Sequence, residues 1–373
     1  MNASPHPAIT LLLCGDVMTG RGIDQILPHP GRPEIFEPYL RSAVDYVDLA
    51  EAVHGPIART ADFTAPWGDA LAILDQIKPD VRIANLETAV TTSDRPWPGK
   101  DVHYRMLPAN LPCLTGFGMD VCTLANNHVL DWCHTGLIET LDELRNAGVR
   151  TAGAGRDVRE AWLPAGVDVA GKGRILVFAF GCASSGIPAA WAAGKNTPGI
   201  AWVADLSKRT VEEIAARIEP LRQAGDVVIA SIHWGGNWGY AIPASHRAFA
   251  HGLIDMAGVD VIHGHSSHHP MGLEVYRGRP VFYGCGDLVN DYEGIAGFED
   301  FHPELALLYL VTLTEGGLHR LELVPLQRLR FCLRRATQAQ AAWLRQKLAT
   351  ESIGLDRPLV IDAQGHLHCS GFT

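Results

Sequence analysis

Short apolar runs recur along the chain, and each ends on a polar residue. Ile9-Thr10-Leu11-Leu12-Leu13-Cys14 stops at Gly15-Asp16, and Val81-Arg82-Ile83-Ala84 leads through Asn85 and Leu86 to Glu87. Met119 to Ala125 opens into Asn126-Asn127-His128-Val129-Leu130-Asp131, and Asp226 to Ile232 ends at His233. Val259-Asp260-Val261-Ile262 runs into His263, His265, His268 and His269, spaced by Gly264 and Ser266-Ser267. Runs of this length and polarity predict buried strands whose carboxyl ends deliver chemistry to one edge of a sheet.

Between the runs, helical spacing of apolar residues predicts helices over 68–77, 135–146, 211–221, 245–257 and 337–350, stopped by glycine or proline where those follow. Leu273-Glu274-Val275-Tyr276 and Pro280-Val281-Phe282-Tyr283, joined by Arg277-Gly278-Arg279, read as a hairpin. A second pair, 305–313 and 318–326, turns at Glu315-Gly316-Gly317. Strands alternating with helices and carrying polar tips predict a layered α/β protein. Residues 28–68, rich in proline, glycine and aromatics, are expected to cross the mouth of the site as an ordered excursion.

Composition narrows the function. The 373 residues are 47% hydrophobic and 19% charged, an ordinary globular balance, expected as one large domain with a C-terminal appendage. A net charge of -10 argues against sequence-independent nucleic-acid binding. The start, MNASPHPAITLLLCGDVM, has no basic segment and too short an apolar run for a signal peptide or membrane span. The expectation is a cytoplasmic protein, and the eight cysteines, without a C-x-x-C pair, read as free thiols. Neither the TAGAG at 151–155 nor the serines near 184 form a nucleotide loop or a hydrolase elbow.

The strand tips together offer Asp16, Glu87, Asn127, His128, His233, His265 and His268. A nitrogen and oxygen donor set without thiolate suits Mn, Fe or Zn, and a shared carboxylate would make a binuclear centre. Such a centre generates hydroxide near neutral pH and clamps a phosphoryl or carbonyl oxygen. An uncoordinated histidine beside it can protonate a leaving group. Arg21, Arg105 and Trp234 are the candidates for binding an anionic substrate.

GDVMTGR (15–21), ANLE (84–87), LANNHVLDW (124–132), SIHWG (231–235) and GHSSHHPMGLEVYRGRPVFYGCGD (264–287) resemble the motifs of the CapA family of poly-gamma-glutamate capsule biosynthesis proteins. That family is similar in turn to the calcineurin-like metallophosphoesterases. The resemblance covers residues 9–325 and implies an α-β-β-α sandwich over residues 1–328, with 329–373 as a small helix and strand extension packed on it. It further implies Asp16 and His268 on one metal, Glu87 as the bridge, and Asn127, His233 and His265 on the second. His128 takes the place of the general acid, and Asp131 holds either His128 or a metal ligand; His263 and His269 are supernumerary. Where ordinary calcineurin-like enzymes carry Asp-x-His on the first strand, this chain has Asp16-Val17-Met18, one imidazole fewer. The activity implied is a metal-dependent hydrolase of phosphoesters or γ-glutamyl amides. The alternatives are a non-catalytic accessory protein of a polymer or peptide ligase system, and a metal-dependent amide-forming or transfer enzyme.

Overall fold

The computed structural model describes residues 8–59, 62–355 and 357–372. The first seven residues, on which part of the reading of the N-terminus rests, lie outside them. The apolar runs form strands that assemble into two large mixed sheets.

In the first sheet, Ile9–Val17 is central. It pairs in parallel with Val81–Leu86, which pairs with Val121–Thr123, which pairs with Arg150–Ala152. On its other edge it meets Leu305–Thr314 antiparallel, followed by the long strand Gly317–Leu329. The second sheet runs Trp202–Val203, Gly173–Cys182, Val227–His233, Val261–His265 and Arg279–Phe282 in parallel, closed by the hairpin strand Leu273–Tyr276.

Strand periodicity explains how the sheets pack. On Gly173–Cys182, Ile175, Val177 and Ala179 join the core shared with the first sheet, while Leu176, Phe178 and Phe180 face the other way. There they meet Val211, Ile214 and Ile218 of the helix Lys208–Ile218, and Phe249 and Leu253 of Ala244–Ala257. The helices Asp69–Ile77 and Pro112–Phe117 cover the first sheet, where Trp67 stacks on Phe117 at 4.1 Å and donates its indole N–H to the Cys113 carbonyl at 2.7 Å. Alternation of this kind is what a strand buried on both faces requires.

The C-terminal segment adds to the first sheet. Leu367–Ser370 pairs with Gly317–Leu329, and Val360–Ile361 pairs with Leu367–Ser370. The helix Gln338–Glu351, opened by a capping box at Thr337 and Gln340, buries Leu344 and Leu348 in the main core. The predicted helices and hairpins are present with ends shifted by at most three residues. Among the described residues no helix is long and apolar enough to cross a membrane.

One close approach sets up the site. Ile9–Val17 continues past the apolar run to include Asp16, and its register against Val81–Leu86 shifts between Cys14 and Asp16. At the same place it gains a parallel partner, Asp287–Val289, with Asp16 opposite Asp287. Gly15 makes this possible, because a Cβ there would lie 1.7 Å from the Gly286 carbonyl oxygen. A Gly15→Ala change has no flexible neighbour to displace and should destabilise by about 3 kcal/mol. Thermal unfolding checks it: a melting temperature within a degree of wild type would contradict this packing.

Candidate metal centre

The carboxyl ends of the parallel strands from both sheets converge on one buried cluster. Asp16, Glu87, His233, His265 and Asp287 are each at most 2% exposed, and His268 is 7% exposed. Two ligand groups emerge, Asp16 with His233 and His265, and Asp16 with His268 and Asp287. Within each group one donor atom per residue lies within 4.8 Å of the others, and Asp16 is common to both.

Hydrogen-bond partners assign the imidazole hydrogens in the first group. His233 Nε2 faces the side-chain oxygen of Asn127 at 3.0 Å, so it carries the hydrogen and leaves Nδ1 bare. His265 Nε2 lies 2.9 Å from Ser231 Oγ, whose own hydrogen is directed to Thr123 Oγ1. The serine therefore accepts, and His265 Nδ1 is bare as well. The two bare nitrogens face each other at 2.8 Å, with Asp16 Oδ1 3.8 Å from His265 Nδ1 and Glu87 Oε2 4.0 Å from His233 Nδ1. Two lone pairs and two carboxylate oxygens pointing at one another in a buried site form the donor set of a divalent cation. These residues fit the metal that the sequence implies.

The second group is built on the Asp16–Asp287 register. His268 Nδ1 lies 3.0 Å from Asp287 Oδ1, while Asn290 donates to Asp287 Oδ2 at 2.6 Å. Asp16 is itself oriented by Asn85, which donates to Oδ1 at 2.7 Å, and by the backbone N–H of Ser266, which donates to Oδ2 at 3.1 Å. Ser266 holds φ at 100°, a strained value for a serine that turns the chain from the strand tip into the His268 loop.

Electrostatics follow from burial. Desolvation, then the neighbouring Asp287 charge, pushes Asp16 up to about 7; desolvation, then Asp16 and Asp287, raises Glu87 well above the usual carboxylate range. Desolvation lowers His233 and His265 well below the ordinary imidazole value. For His268, burial favours the neutral ring but Asp287 and Asp16 outweigh it, and its value is raised.

Beside the cluster stands a proton-handling triad. His128 Nδ1 is 2.7 Å from Asp131 Oδ2 and 3.0 Å from Lys100 Nζ, and Lys100 also hydrogen-bonds Asp131 Oδ1. His128 Nε2 points at Glu87, 3.7 Å from Oε1. Burial, then the Lys100 charge, holds His128 well below its ordinary value, so the ring is neutral. Asp131, raised to about 6 by burial, also accepts the backbone N–H of Tyr104 at 2.7 Å. Aromatic rings wall this side: Tyr104 lies edge-on to His128 at 4.2 Å, and Trp97 meets Trp191 at 5.4 Å.

Other expected residues are placed elsewhere. Asn127 places its side-chain oxygen 3.0 Å from His233 Nε2 and orients the ring. Arg21 is buried, its guanidinium consumed by Asp291 at 2.5 Å, Glu37 at 2.7 Å and Tyr46 at 2.7 Å. Arg105 lies over Trp132 at 4.1 Å and donates to the Ser93 and Arg32 carbonyls. Trp234 sits in the helix-side core, its indole N–H on the Tyr283 carbonyl at 2.9 Å and its ring stacked on His246. Arg21 and Arg105 line one cleft with Asp24, Arg32, Glu34 and Trp132, and Trp234 is not part of it. His263 and His265 belong to the strand Val261–His265, not to a loop, and alternation turns both toward the first sheet, where His263 Nε2 donates to the Cys14 carbonyl at 2.8 Å. His269 packs against Trp238 and Phe301 and accepts from the Gly239 N–H.

Sequence reasoning missed Asp287 and Lys100. Asp287 carries the signal used for Asp16, an apolar run, here Val281–Tyr283, followed by small residues and an acid. Lys100, in the Pro98-Gly99-Lys100 loop, has no such signal, since only the fold brings it to Asp131.

The fold and this donor set define an α/β protein organised around a candidate divalent-metal centre. Residues 10–292 match the family model described as bacterial capsule synthesis protein PGA_cap, and the chain belongs to that family. It is 48% identical over 344 residues to a probable polyglutamine synthesis accessory protein of Mycobacterium tuberculosis, covering 91% of this chain and 90% of that one. It is 26% identical to the PGA biosynthesis protein CapA of Bacillus subtilis, over 84% of this chain and 70% of the relative, and 25% identical to the capsule biosynthesis protein CapA of Bacillus anthracis, over 85% and 67%.

Protons compete with a cation for this cluster, which fixes a pH dependence. Asp16 and Glu87 bind protons more tightly folded than unfolded, so without metal their contribution to stability is full below about pH 4 and is lost as pH rises, for Asp16 through about 7. A divalent cation removes that loss by binding the ionised carboxylates. The thermal shift produced by saturating Mn²⁺ should therefore be larger at pH 8 than at pH 5.5; an equal or reversed shift would count against the cluster as the binding site.

Proposed function

We propose that this protein is a divalent-metal-dependent hydrolase of the poly-gamma-glutamate system, built on the layered sandwich of the calcineurin-like metallophosphoesterases and directed at a γ-glutamyl amide or a phosphoester. The observation that carries the reading is the convergence of bare His233 and His265 Nδ1 atoms with Asp16, beside a second group that shares the same carboxylate. A pair of divalent ions there, Mn, Fe or Zn, would be held by His233, His265 and Asp16 on one side and by Asp16, His268 and Asp287 on the other. Glu87 flanks the first group, and Asp16 takes the bridging place expected of Glu87. When bound, such ions supply Lewis acidity toward a water and toward the ester or amide oxygen.

The remaining work falls to the chain's own residues. Asp131 accepts the Nδ1 hydrogen of neutral His128 and fixes the ring, and Lys100 keeps Asp131 charged. His128 Nε2 then faces the cluster as a proton acceptor, 3.7 Å from Glu87 Oε1. The proton it takes from the attacking water is passed to the departing oxygen or nitrogen. Tyr104, Trp97 and Trp191 shield this exchange from water.

The reading predicts that His128→Ala keeps its metal and loses about 10²- to 10⁴-fold in turnover, whereas His265→Ala loses metal and turnover together. Elemental mass spectrometry on protein purified without chelator, paired with γ-glutamyl amide and phosphoester assays, checks both. Protein that takes up no metal even after reconstitution would overturn the proposal. A second reading, a non-catalytic accessory role, is favoured by the printed name of the Mycobacterium tuberculosis relative. It predicts bound metal and polymer binding, with His128→Ala unchanged in both.

A further inference from the structure

A second cluster of metal-ligating side chains lies on the C-terminal strands, beyond the residues matched by the family model. Glu322, His366 and His368 each place one donor atom within 4.8 Å of the others. We propose that these residues form an additional site for an imidazole-preferring divalent cation, Zn²⁺ first, that clips the C-terminal strand to the first sheet. The inference is independent of the central cluster.

Strand geometry builds the site. Glu322 on Gly317–Leu329 stands directly opposite His368 in the antiparallel register, so both side chains project from one face. His366 is two residues from His368 and joins the same face, diagonal to Glu322. His366 Nδ1 is 2.8 Å and His368 Nδ1 3.9 Å from the Glu322 carboxylate oxygens. Nitrogen and oxygen edges of about 3 to 4 Å are those of donors around an ion bonded at about 2.0–2.2 Å.

The surroundings orient His368 for this task. Its Nε2 lies 2.6 Å from Asp362 Oδ2, which fixes the hydrogen on Nε2 and leaves Nδ1 bare toward Glu322. A carboxylate behind a histidine is the usual outer support of a metal-bound imidazole. The bare Nδ1 already attracts a cation, since Arg320 approaches it at 3.3 Å and Glu322 Oε2 at 2.9 Å. That arginine side chain is 50% exposed and free to swing into solvent when a metal takes its place. His366 must place its hydrogen on Nε2, away from the ion, and the Arg335 guanidinium at 3.5 Å from that atom must yield. One position is left to solvent, as three protein donors around zinc allow.

Zinc titration of the full chain decides it. After equilibration with Zn²⁺, wild type should hold about one equivalent more than His368→Ala by elemental analysis, and His265→Ala should keep that equivalent while losing the central metal. With Co²⁺, wild type and His265→Ala should share a visible absorption band that His368→Ala lacks. His368→Gln, with circular dichroism matching wild type, guards against a folding defect. Equal zinc content in wild type and both His368 variants, or a Co²⁺ band unaffected by them, would overturn the proposal and leave an ion-pair network at this position.

Discussion

Everything about the central site depends on burying like charges. Asp16, Glu87 and Asp287 are carboxylates withdrawn from water within one cluster, and the imidazoles among them are deprotonated where they face each other. Burial of this kind is costly unless a cation compensates, by several kcal/mol per uncompensated ion. Lys100 is spent on Asp131, and Arg328 donates to the backbone carbonyl of Asp287 and not to its carboxylate. The protein meets the cost in part by raising the proton affinity of Asp16 and Glu87, and a divalent ion would meet it more completely. The strained φ of Ser266 and the Gly15–Gly286 approach serve the same end, holding donors together that repel one another.

Much of this was readable from the chain because strand tips are local. An apolar run followed by Asp16, Glu87 or His233 needs no knowledge of the partner strand to be recognised, and the parallel arrangement then brings the tips to one edge. What the chain alone leaves open is decided in three dimensions. Arg21 and Trp234 sit close to ligand-bearing tips in sequence, and the fold pairs one with Asp291 and Glu37 and turns the other into the helix-side core. The grouping of the donors is likewise set by the fold. Asp16 rather than Glu87 is common to both groups because the register shift at Gly15 brings Asp287 beside Asp16, and pairing register is not written in either segment alone.

The same reasoning separates ligands from their supports. Asn127, Ser231 and Asn85 set which nitrogen or oxygen of His233, His265 and Asp16 faces the centre. Their substitution would leave the donor list intact and misdirect its lone pairs. The candidate centre lies within the residues matched by the capsule synthesis family, while the C-terminal strands beyond residue 292 lie outside the family match.

The central claim is that Asp16 joins two cation positions. Anomalous diffraction from crystals equilibrated with Mn²⁺ tests it most directly. The account predicts two peaks, both about 2 Å from Asp16 oxygens, one beside His233 and His265 and the other beside His268 and Asp287. A single peak bridged by Glu87 with Asp16 unbound, or no peak within this cluster, would contradict it.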